Sequence, residues 1–383
     1  MFNLLLGRLP SYTRKARHLQ LLLRHSSPRK LLNVARAELS RARGDIELTS
    51  RPYIYIIDTG NVCNLRCPLC PTGYHGLERP QALMKLAQFE SILDKISDYA
   101  VEIIMHNWGE PFLNPDILPM IRHARGKGIG TTLSSNLNLV NKGERFLEEV
   151  VDSGLEHLTV SIDGTTQDVY EVYRRGGTLE NVLTNLRYLL AYRNRTRKAT
   201  PMVEWQFLVM KHNEHQIDDA RRLAGEIGVD KVRVTGAGLP FKELTNATLA
   251  QDWLSEMPKY RNYSPESFAR GYLYDEKCFY LYRAMTVNPR GEVSPCCVVY
   301  EQSADFGNLV NDGLAEVWNN EQYRSSRALF SRKTTSADVE TICDRCPLFR
   351  YEKTGRERHR SRAEAAAVFP LTVHVTTSNE NAH

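Results

Sequence analysis

Long apolar runs are missing from this 383-residue chain. None approaches the ~18 consecutive apolar residues that a membrane-spanning helix requires, and the first residues hold no uninterrupted signal-type core with a cleavage site. Acidic side chains are almost absent from residues 1–44, where Glu38 stands alone against ten Lys/Arg. The local charge is therefore +9, which leaves −4 for the rest of a chain whose total is +5. So modest a net charge gives no reason to expect a nucleic-acid partner. Cysteine is not spread as a disulfide framework spreads it. The eight cysteines gather into two groups, which suits metal binding better than cross-linking. With 42% hydrophobic and 25% charged residues, the composition is that of an ordinary globular chain, long enough for about two domains.

What is present is concentrated in residues 59–72, which read TGNVCNLRCPLCPT. Cys63, Cys67 and Cys70 stand in a C-x3-C-x2-C spacing just after Tyr53-Ile-Tyr-Ile-Ile57, a β-branched and aromatic run that reads as a buried strand. Three thiolates on a loop at the mouth of a strand can hold three irons of a [4Fe-4S] cluster. Such clusters normally have four thiolates, so a trio leaves one iron open to a small molecule. A structural zinc site completed by a distant fourth cysteine competes with this reading, although zinc knuckles usually come as two C-x2-C pairs. Chance clustering is the third reading.

Between residues 53 and 235 strand-like and helix-like patterns alternate. Strands are predicted over 53–58, 102–107, 130–134, 157–162, 202–209 and 231–235. Helices are predicted over 89–96, 117–125, 142–152, 178–192 and 214–227, with Gly128, Gly154 and Gly228 at helix C-caps. Such alternation implies parallel strands joined by right-handed crossovers, with chemistry at the strand C-terminal ends. The pattern alone does not separate an open barrel from a flat doubly wound sheet. Motifs fall at those strand ends: Asn107-Trp-Gly-Glu-Pro111, Ser134-Ser-Asn136, Val160-Ser-Ile-Asp-Gly164 and Tyr173-Arg-Arg-Gly-Gly177. In the fifth strand Glu204 and Gln206 share one face and Trp205 takes the other; the polar pair points either into the barrel or to solvent.

Before the first strand, residues 1–49 read as a basic helical segment with leucine triplets at 4–6 and 21–23. We favour a helical lid whose leucines pack on the catalytic domain; peripheral contact with a membrane surface is the alternative. It is too short for a winged-helix peptide-recognition domain. Residues 241–277 read as a bridge, and its aromatics as packing. A last module opens at Cys278, passes a turn at Asn288-Pro-Arg-Gly291 between two short strands, and contains Cys296-Cys297 and Cys343-Asp-Arg-Cys346. Cys278, one of Cys296 and Cys297, Cys343 and Cys346 supply four thiolates, enough for one fully ligated cluster or a zinc. Residues 351–383 read as a partly disordered tail.

The run Cys63-Asn-Leu-Arg-Cys67-Pro-Leu-Cys70-Pro resembles the defining motif of the radical S-adenosylmethionine (radical SAM) superfamily. The C-terminal cysteines, with Phe306-Gly-Asn-Leu309 between them, resemble its SPASM/twitch extension. The resemblance covers about residues 50–350. It implies an α/β fold: a partial (β/α)6 barrel over 50–240, and a small cysteine-rich α+β SPASM/twitch-like domain over 278–350 with one auxiliary [4Fe-4S] cluster on Cys278, Cys296, Cys343 and Cys346. Cys297 is then spare, either a bystander thiol or a hydrogen-atom donor. The resemblance further implies that Cys63, Cys67 and Cys70 hold a [4Fe-4S] cluster whose open iron takes S-adenosylmethionine. Glu110 would meet the ammonium of S-adenosylmethionine, Ser161 would contact the cofactor, and Arg174 rather than Arg175 would meet its carboxylate. Trp108 stands where family members usually have the first glycine of Gly-Gly-Glu-Pro.

The activity so implied is reductive cleavage of S-adenosylmethionine to a 5′-deoxyadenosyl radical that abstracts hydrogen from an unactivated C–H bond, with an external flavodoxin- or ferredoxin-type reductant. A cytoplasmic setting follows from the oxygen sensitivity of an open cluster. We expect a small polar substrate, a sugar, aminocyclitol or nucleoside, undergoing net oxidation. The alternatives are a peptide- or protein-modifying maturase, an epimerase with Cys297 as donor, and a non-catalytic zinc- or cluster-binding interaction protein.

Overall fold

The computed structural model describes residues 12–261, 267, 273–274, 276–331 and 339–349. The tail expected over 351–383, part of the bridge and residues 1–11 lie outside them. Six parallel strands follow one another across a sheet: β1 (Ile54–Ile57), β2 (Glu102–Ile104), β3 (Gly130–Ser135), β4 (His157–Ser161), β5 (Met202–Val209) and β6 (Lys231–Gly236). Helices α3 (Leu86–Ile96), α4 (Ile117–Gly126), α5 (Gly143–Asp152), α6 (Gln167–Tyr173), α7 (Leu179–Arg195) and α8 (Ile217–Ile227) make the crossovers. Gly128, Gly154 and Gly228 end their helices at φ of 66°, 87° and 82°, a left-handed conformation that costs glycine nothing.

The period-2 pattern of β5 shows how the layers form. Val203, Trp205, Phe207 and Val209 are buried while Glu204, Gln206 and Leu208 alternate with them on the other face. Trp205 is fully enclosed, and its indole N–H donates to the Ile162 carbonyl at 2.9 Å. That face belongs to the main core, shared with Ile92, Ile121, Val150, Leu186 and Ala220 of the flanking helices. Several boundaries differ from expectation: α3 starts at Leu86 rather than at 89, and α7 runs to Arg195 rather than to 192. β2 stops at Ile104 because Trp108 N–H turns to the Asp58 carboxylate at 3.3 Å. α8 starts at Ile217 because Asn213 holds the preceding turn: its amide donates to the Asp163 and Leu208 carbonyls and its Oδ1 accepts from Met210 N–H.

The C-terminal module does not stand apart as a separate layer. Its first strand β7 (Ala284–Val287) pairs in parallel with β1, with Tyr55 opposite Met285, and β8 (Val293–Ser294) folds back antiparallel through the turn at Asn288–Gly291. The sheet order is β6-β5-β4-β3-β2-β1-β7-β8. β1 thus has its second edge filled by β7 rather than β6, and the barrel stays open. Arg79 locks the two parts together: its buried guanidinium meets Asp305 at 3.0 Å and donates to the Tyr300 and Glu301 carbonyls. Arg327 is fully buried between Trp318 and Tyr323 and donates to the Leu281, Ile46 and Trp318 carbonyls.

The basic N-terminal segment forms α1 (Tyr12–His25) and α2 (Pro28–Arg43), packed at the N-terminal ends of the strands. Leu21 is fully buried. His18 Nδ1 lies 3.0 Å and Arg17 Nε 3.5 Å from the Glu102 carboxylate, which also accepts from Thr132; Arg24 and His25 meet Glu156. In α2 Ser27 caps the N-terminus, Pro28 fills the first turn, and Val34 and Ala37 pack on Tyr53 and Val101. Among the described residues no helix is long and apolar enough to cross a membrane.

Burial by itself would raise the Glu102 carboxyl, but the His18 hydrogen bond and the Arg17 and His18 charges hold it down at about 2. A carboxyl depressed in the folded state stabilises above its unfolded pKa, and that stability is lost as pH falls from ~4.5 toward 2. Glu102→Gln should therefore lower the unfolding free energy at pH 7 by about 3 kcal/mol, and the gap to the native protein should close over that acid window. Denaturant titrations at pH 7, 4.5 and 3 measure it; a pH-independent gap would show that Glu102 does not stabilise through its charge.

Candidate functional site

The three-cysteine loop leaves β1 at Ile57 and lies against the turn after β2. Backbone packing there leaves no room for side chains. A Cβ at Gly109 would sit 1.8 Å from the Gly60 carbonyl, and one at Gly73 would sit 2.3 Å from the Cys67 carbonyl. The close backbone approach therefore occurs at Gly109, one residue after Trp108, whose ring turns away to meet Tyr300 edge-on at 5.5 Å. Glu110 N–H donates to Val62 O at 2.8 Å, and Cys70 N–H to Cys67 O at 3.1 Å. Three donors face the sulfurs: Leu65 N–H and the Asn136 amide to Cys63 at 3.4 and 3.8 Å, and Arg174 Nη1 to Cys67 at 3.9 Å. Such donors suit thiolate sulfur and tune a bound cluster. Burial pushes the Cys63 thiol up to about 12 and Cys67 up to about 11, so metal loading must carry protons away.

The strand-end residues gather around this loop. Glu110 is 2% exposed, and both carboxylate oxygens are already engaged: one accepts from Phe112 N–H and the Ser135 hydroxyl, the other from Asn136 N–H at 2.7 Å. It braces the ends of β2 and β3 against each other. Burial pushes its carboxyl up to about 7, and does the same to Asp58. Ser161 is buried, with its hydroxyl 3.4 Å from that of Ser134. Arg174 donates to Asp163 at 2.6 Å, and the other Asp163 oxygen accepts from Leu208 N–H at 2.7 Å. Burial alone would lower the Arg174 pKa, but the Asp163 and Cys67 charges raise it, which keeps a cation against the cysteine loop. Arg175 is exposed instead and lines, with Arg66 and Tyr74, a cavity of about 560 Å³ on the outer side of the loop. Glu204 and Gln206 both accept from Arg233, which is 8% exposed, so this polar face turns inward rather than to solvent.

The second cysteine set forms between α10 (Tyr280–Arg283), the β8 end and the 3-10 turn Ile342–Arg345. Burial pushes the Cys278 thiol up to about 12 and Cys346 up to about 11, and raises Cys296 and Cys343 further. After burial, the charges of Cys297, Cys343, Cys346 and Cys278 all raise Cys296, which puts all five thiols in one neighbourhood without choosing between Cys296 and Cys297. Cys297 lies beside them with its sulfur 3.1 Å from the Tyr280 hydroxyl. One apolar cluster touches both sets: Cys67 and Tyr300 are buried in it, and Cys63, Cys70, Trp108 and Cys346 pack against it. Sequence reasoning had not singled out Asp58, Arg79 or Tyr300. A buried acid ending a strand was the available signal for Asp58; the other two act over more than 200 residues of chain, and no local pattern marks them.

A profile described as the radical SAM superfamily matches residues 57–224, and one described as an iron–sulfur cluster-binding domain, SPASM, matches residues 278–347. PqqA peptide cyclase of Xanthomonas campestris pv. campestris is 25% identical over 319 residues, 77% of this chain and 79% of that protein. AdoMet-dependent heme synthase of Methanosarcina barkeri is 24% identical over 346 residues, 81% of this chain and 95% of that protein. Among solved structures, Streptococcus suis SuiB bound to precursor peptide SuiA aligns with a TM-score of 0.57 at 16% identity, covering 80% of this chain and 72% of SuiB; SuiB bound to S-adenosylmethionine aligns at 0.56. At that identity the match speaks for the fold. The cofactors of this enzyme are S-adenosylmethionine, a [4Fe-4S] cluster and an auxiliary iron–sulfur cluster. With these two profile matches on an open parallel barrel, the chain belongs to the radical SAM superfamily and carries a C-terminal SPASM domain.

Proposed function

We propose that this radical SAM enzyme modifies a peptide or protein side chain. The observation that carries the reading is the extended match to PqqA peptide cyclase, which runs over 77% of this chain and 79% of that protein. The sequence alone favoured a small polar substrate, with the peptide maturase as the alternative; the relatives support that alternative better. A small-molecule substrate is kept as a second reading because the heme synthase match runs over 95% of that protein's length.

With the cofactors bound, the site supplies a 5′-deoxyadenosyl radical able to take hydrogen from an unactivated C–H bond. The chain's own residues do the rest. Cys63, Cys67 and Cys70 hold one cluster, and Cys278, Cys296, Cys343 and Cys346 hold the auxiliary one. Arg174, oriented by Asp163, presents a fixed cation for the carboxylate of S-adenosylmethionine, since a guanidinium fork matches a carboxylate bidentately. Ser161 offers a hydroxyl contact. Glu110 acts mainly by holding the loop, with one acceptor position left for an ammonium group. Trp108, Tyr300 and the apolar residues between the cysteine sets exclude water from the site. An external one-electron carrier of the flavodoxin or ferredoxin type reduces the enzyme in the cytoplasm. Net oxidation is the preferred outcome; an epimerase would need Cys297 as its hydrogen donor.

Three measurements check this. Replacing Cys63, Cys67 and Cys70 together by alanine should remove about four irons per chain and abolish 5′-deoxyadenosine formation from S-adenosylmethionine; undiminished formation would falsify the assignment of that loop. Arg174→Lys keeps the charge and the Asp163 pair but loses the fork. S-adenosylmethionine affinity should then fall roughly 10- to 100-fold at unchanged iron content, while Arg175→Ala leaves it alone; the reverse pattern moves the role to Arg175. For the substrate class, the anaerobically reconstituted enzyme is given S-adenosylmethionine, reductant and any short peptide that sequencing finds encoded beside its gene. Peptide-dependent 5′-deoxyadenosine with a product two hydrogens lighter supports a maturase. Turnover stimulated by porphyrins or sugars and not by that peptide overturns it.

A further inference from the structure

The outer face of the N-terminal helix pair has no use in the chemistry, yet it is built unlike the rest of the surface. All four leucines that are exposed among the described residues lie there: Leu23 at 77%, Leu31 at 50%, Leu32 at 51% and Leu39 at 48%. In α2, Leu32, Ala35, Leu39 and Ala42 follow one another at steps of three and four residues, and all are exposed. That spacing makes one apolar stripe along the helix. Arg29, Arg36 and Arg43, seven residues apart and likewise exposed, run beside it. The opposite face, Lys30, Asn33, Val34, Ala37 and Ser40, is buried against the protein. The inward packing expected of a lid is therefore satisfied without the leucines of α2. Those leucines face outward.

We propose that this face docks on an anionic lipid surface. The exposed charges that the helix pair itself brings to this face are all positive. Glu38, the one acid of residues 1–44, is turned inward, where Arg283 and the Tyr53 hydroxyl hold it. Asp98, paired with Arg29, is the acid that reaches the face from a neighbouring element. A stripe of leucine flanked by arginine is the composition of helices that lie in a membrane interface, with the apolar side chains among the acyl chains and the cations at the headgroups. α2 has 16 residues, about 24 Å of helix, and can lie flat. A second copy of the chain is a poorer partner, because pairing this face with itself would bring the Arg29, Arg36 and Arg43 rows together. The preceding residues continue the composition: Met1-Phe-Asn-Leu-Leu-Leu-Gly-Arg-Leu-Pro-Ser11 has five apolar side chains before Arg8 and no acid.

The position fits such a role. α2 contacts the chain near Arg51, Tyr53, Gly128 and Arg283, all at the N-terminal ends of strands. The cysteine loop and its pocket lie at the opposite ends. A docked enzyme would keep its mouth turned away from the bilayer and open to substrate and reductant.

The test is flotation of the full-length holoenzyme with vesicles of phosphatidylcholine alone or with 30% phosphatidylglycerol as ~30% anionic lipid, at low and high salt. Binding is expected on the anionic vesicles, weaker at high salt. It should fall about fivefold for each arginine in Arg36→Gln and Arg43→Gln, and be lost in Leu32→Glu/Leu39→Glu. These variants should retain native 5′-deoxyadenosine formation, which shows that they fold. No binding to anionic vesicles at low salt overturns the proposal. So does equal binding to neutral vesicles, or a dimer in light scattering that the leucine variant dissolves.

Discussion

Position 109 has no space for a side chain, and that one backbone contact sets the geometry of the site. With a virtual Cβ only 1.8 Å from the Gly60 carbonyl, the turn after β2 can lie on the cysteine loop only if glycine occupies it. The contact then propagates. Glu110 N–H reaches Val62 O, the Glu110 carboxylate reaches Ser135 and Asn136 at the end of β3, and the Asn136 amide reaches the Cys63 sulfur. Three strand ends and the first cysteine are therefore held by one continuous set of hydrogen bonds. A loop that must present three sulfurs at fixed corners needs such bracing, since loops left to themselves are the most mobile part of a fold.

The same economy governs the charges. Burying an ion without a partner is costly, and each buried arginine here has a fixed answer. Arg174 has Asp163 and faces Cys67; Arg79 has Asp305 and two carbonyls; Arg233 has Glu204 and Gln206. The first orients a cation at the cysteine loop, the second fastens the SPASM segment to the barrel, and the third fills the barrel interior. Asp58 and Glu110 lack a cation in direct contact and rely on N–H and O–H donors. Burial accordingly lifts both carboxyls to about 7.

Much of the barrel is legible in the sequence because its signals are local. β5 reads as a strand from Val203, Trp205, Phe207 and Val209 alternating with Glu204 and Gln206, and its bounds fall where the pattern places them. Helix ends are legible where a glycine turns left-handed, as at Gly128 and Gly228. The short α6 and the helix α9 (Ala247–Trp253) were not, because seven residues carry too little periodicity to distinguish. Nor was the pairing of β7 with β1, since strand partnership over more than 200 residues leaves no trace in either strand. At the site, residue types were legible and their assignments less so. Trp108 marks the departure from a double glycine, but the indispensable glycine is its neighbour. Glu110 reads as a free acceptor until the structure shows both of its oxygens engaged.

Polarity of the sheet ties these features together. Parallel strands send every C-terminal end to one side, so the sulfurs, Arg174 and the aromatic pair Trp108–Tyr300 share a face. The other side is left with strand beginnings, where buried Glu102 and Glu156 would stand unpaired without a cap. α1 supplies that cap through Arg17, His18, Arg24 and His25, which explains why a basic segment precedes the barrel. Those four residues use only the inward side of the helix pair. Arg29 still reaches Asp98, but Arg36, Arg43 and the outward leucines lie exposed on the far side, so their chemistry must be sought in what lies outside the barrel.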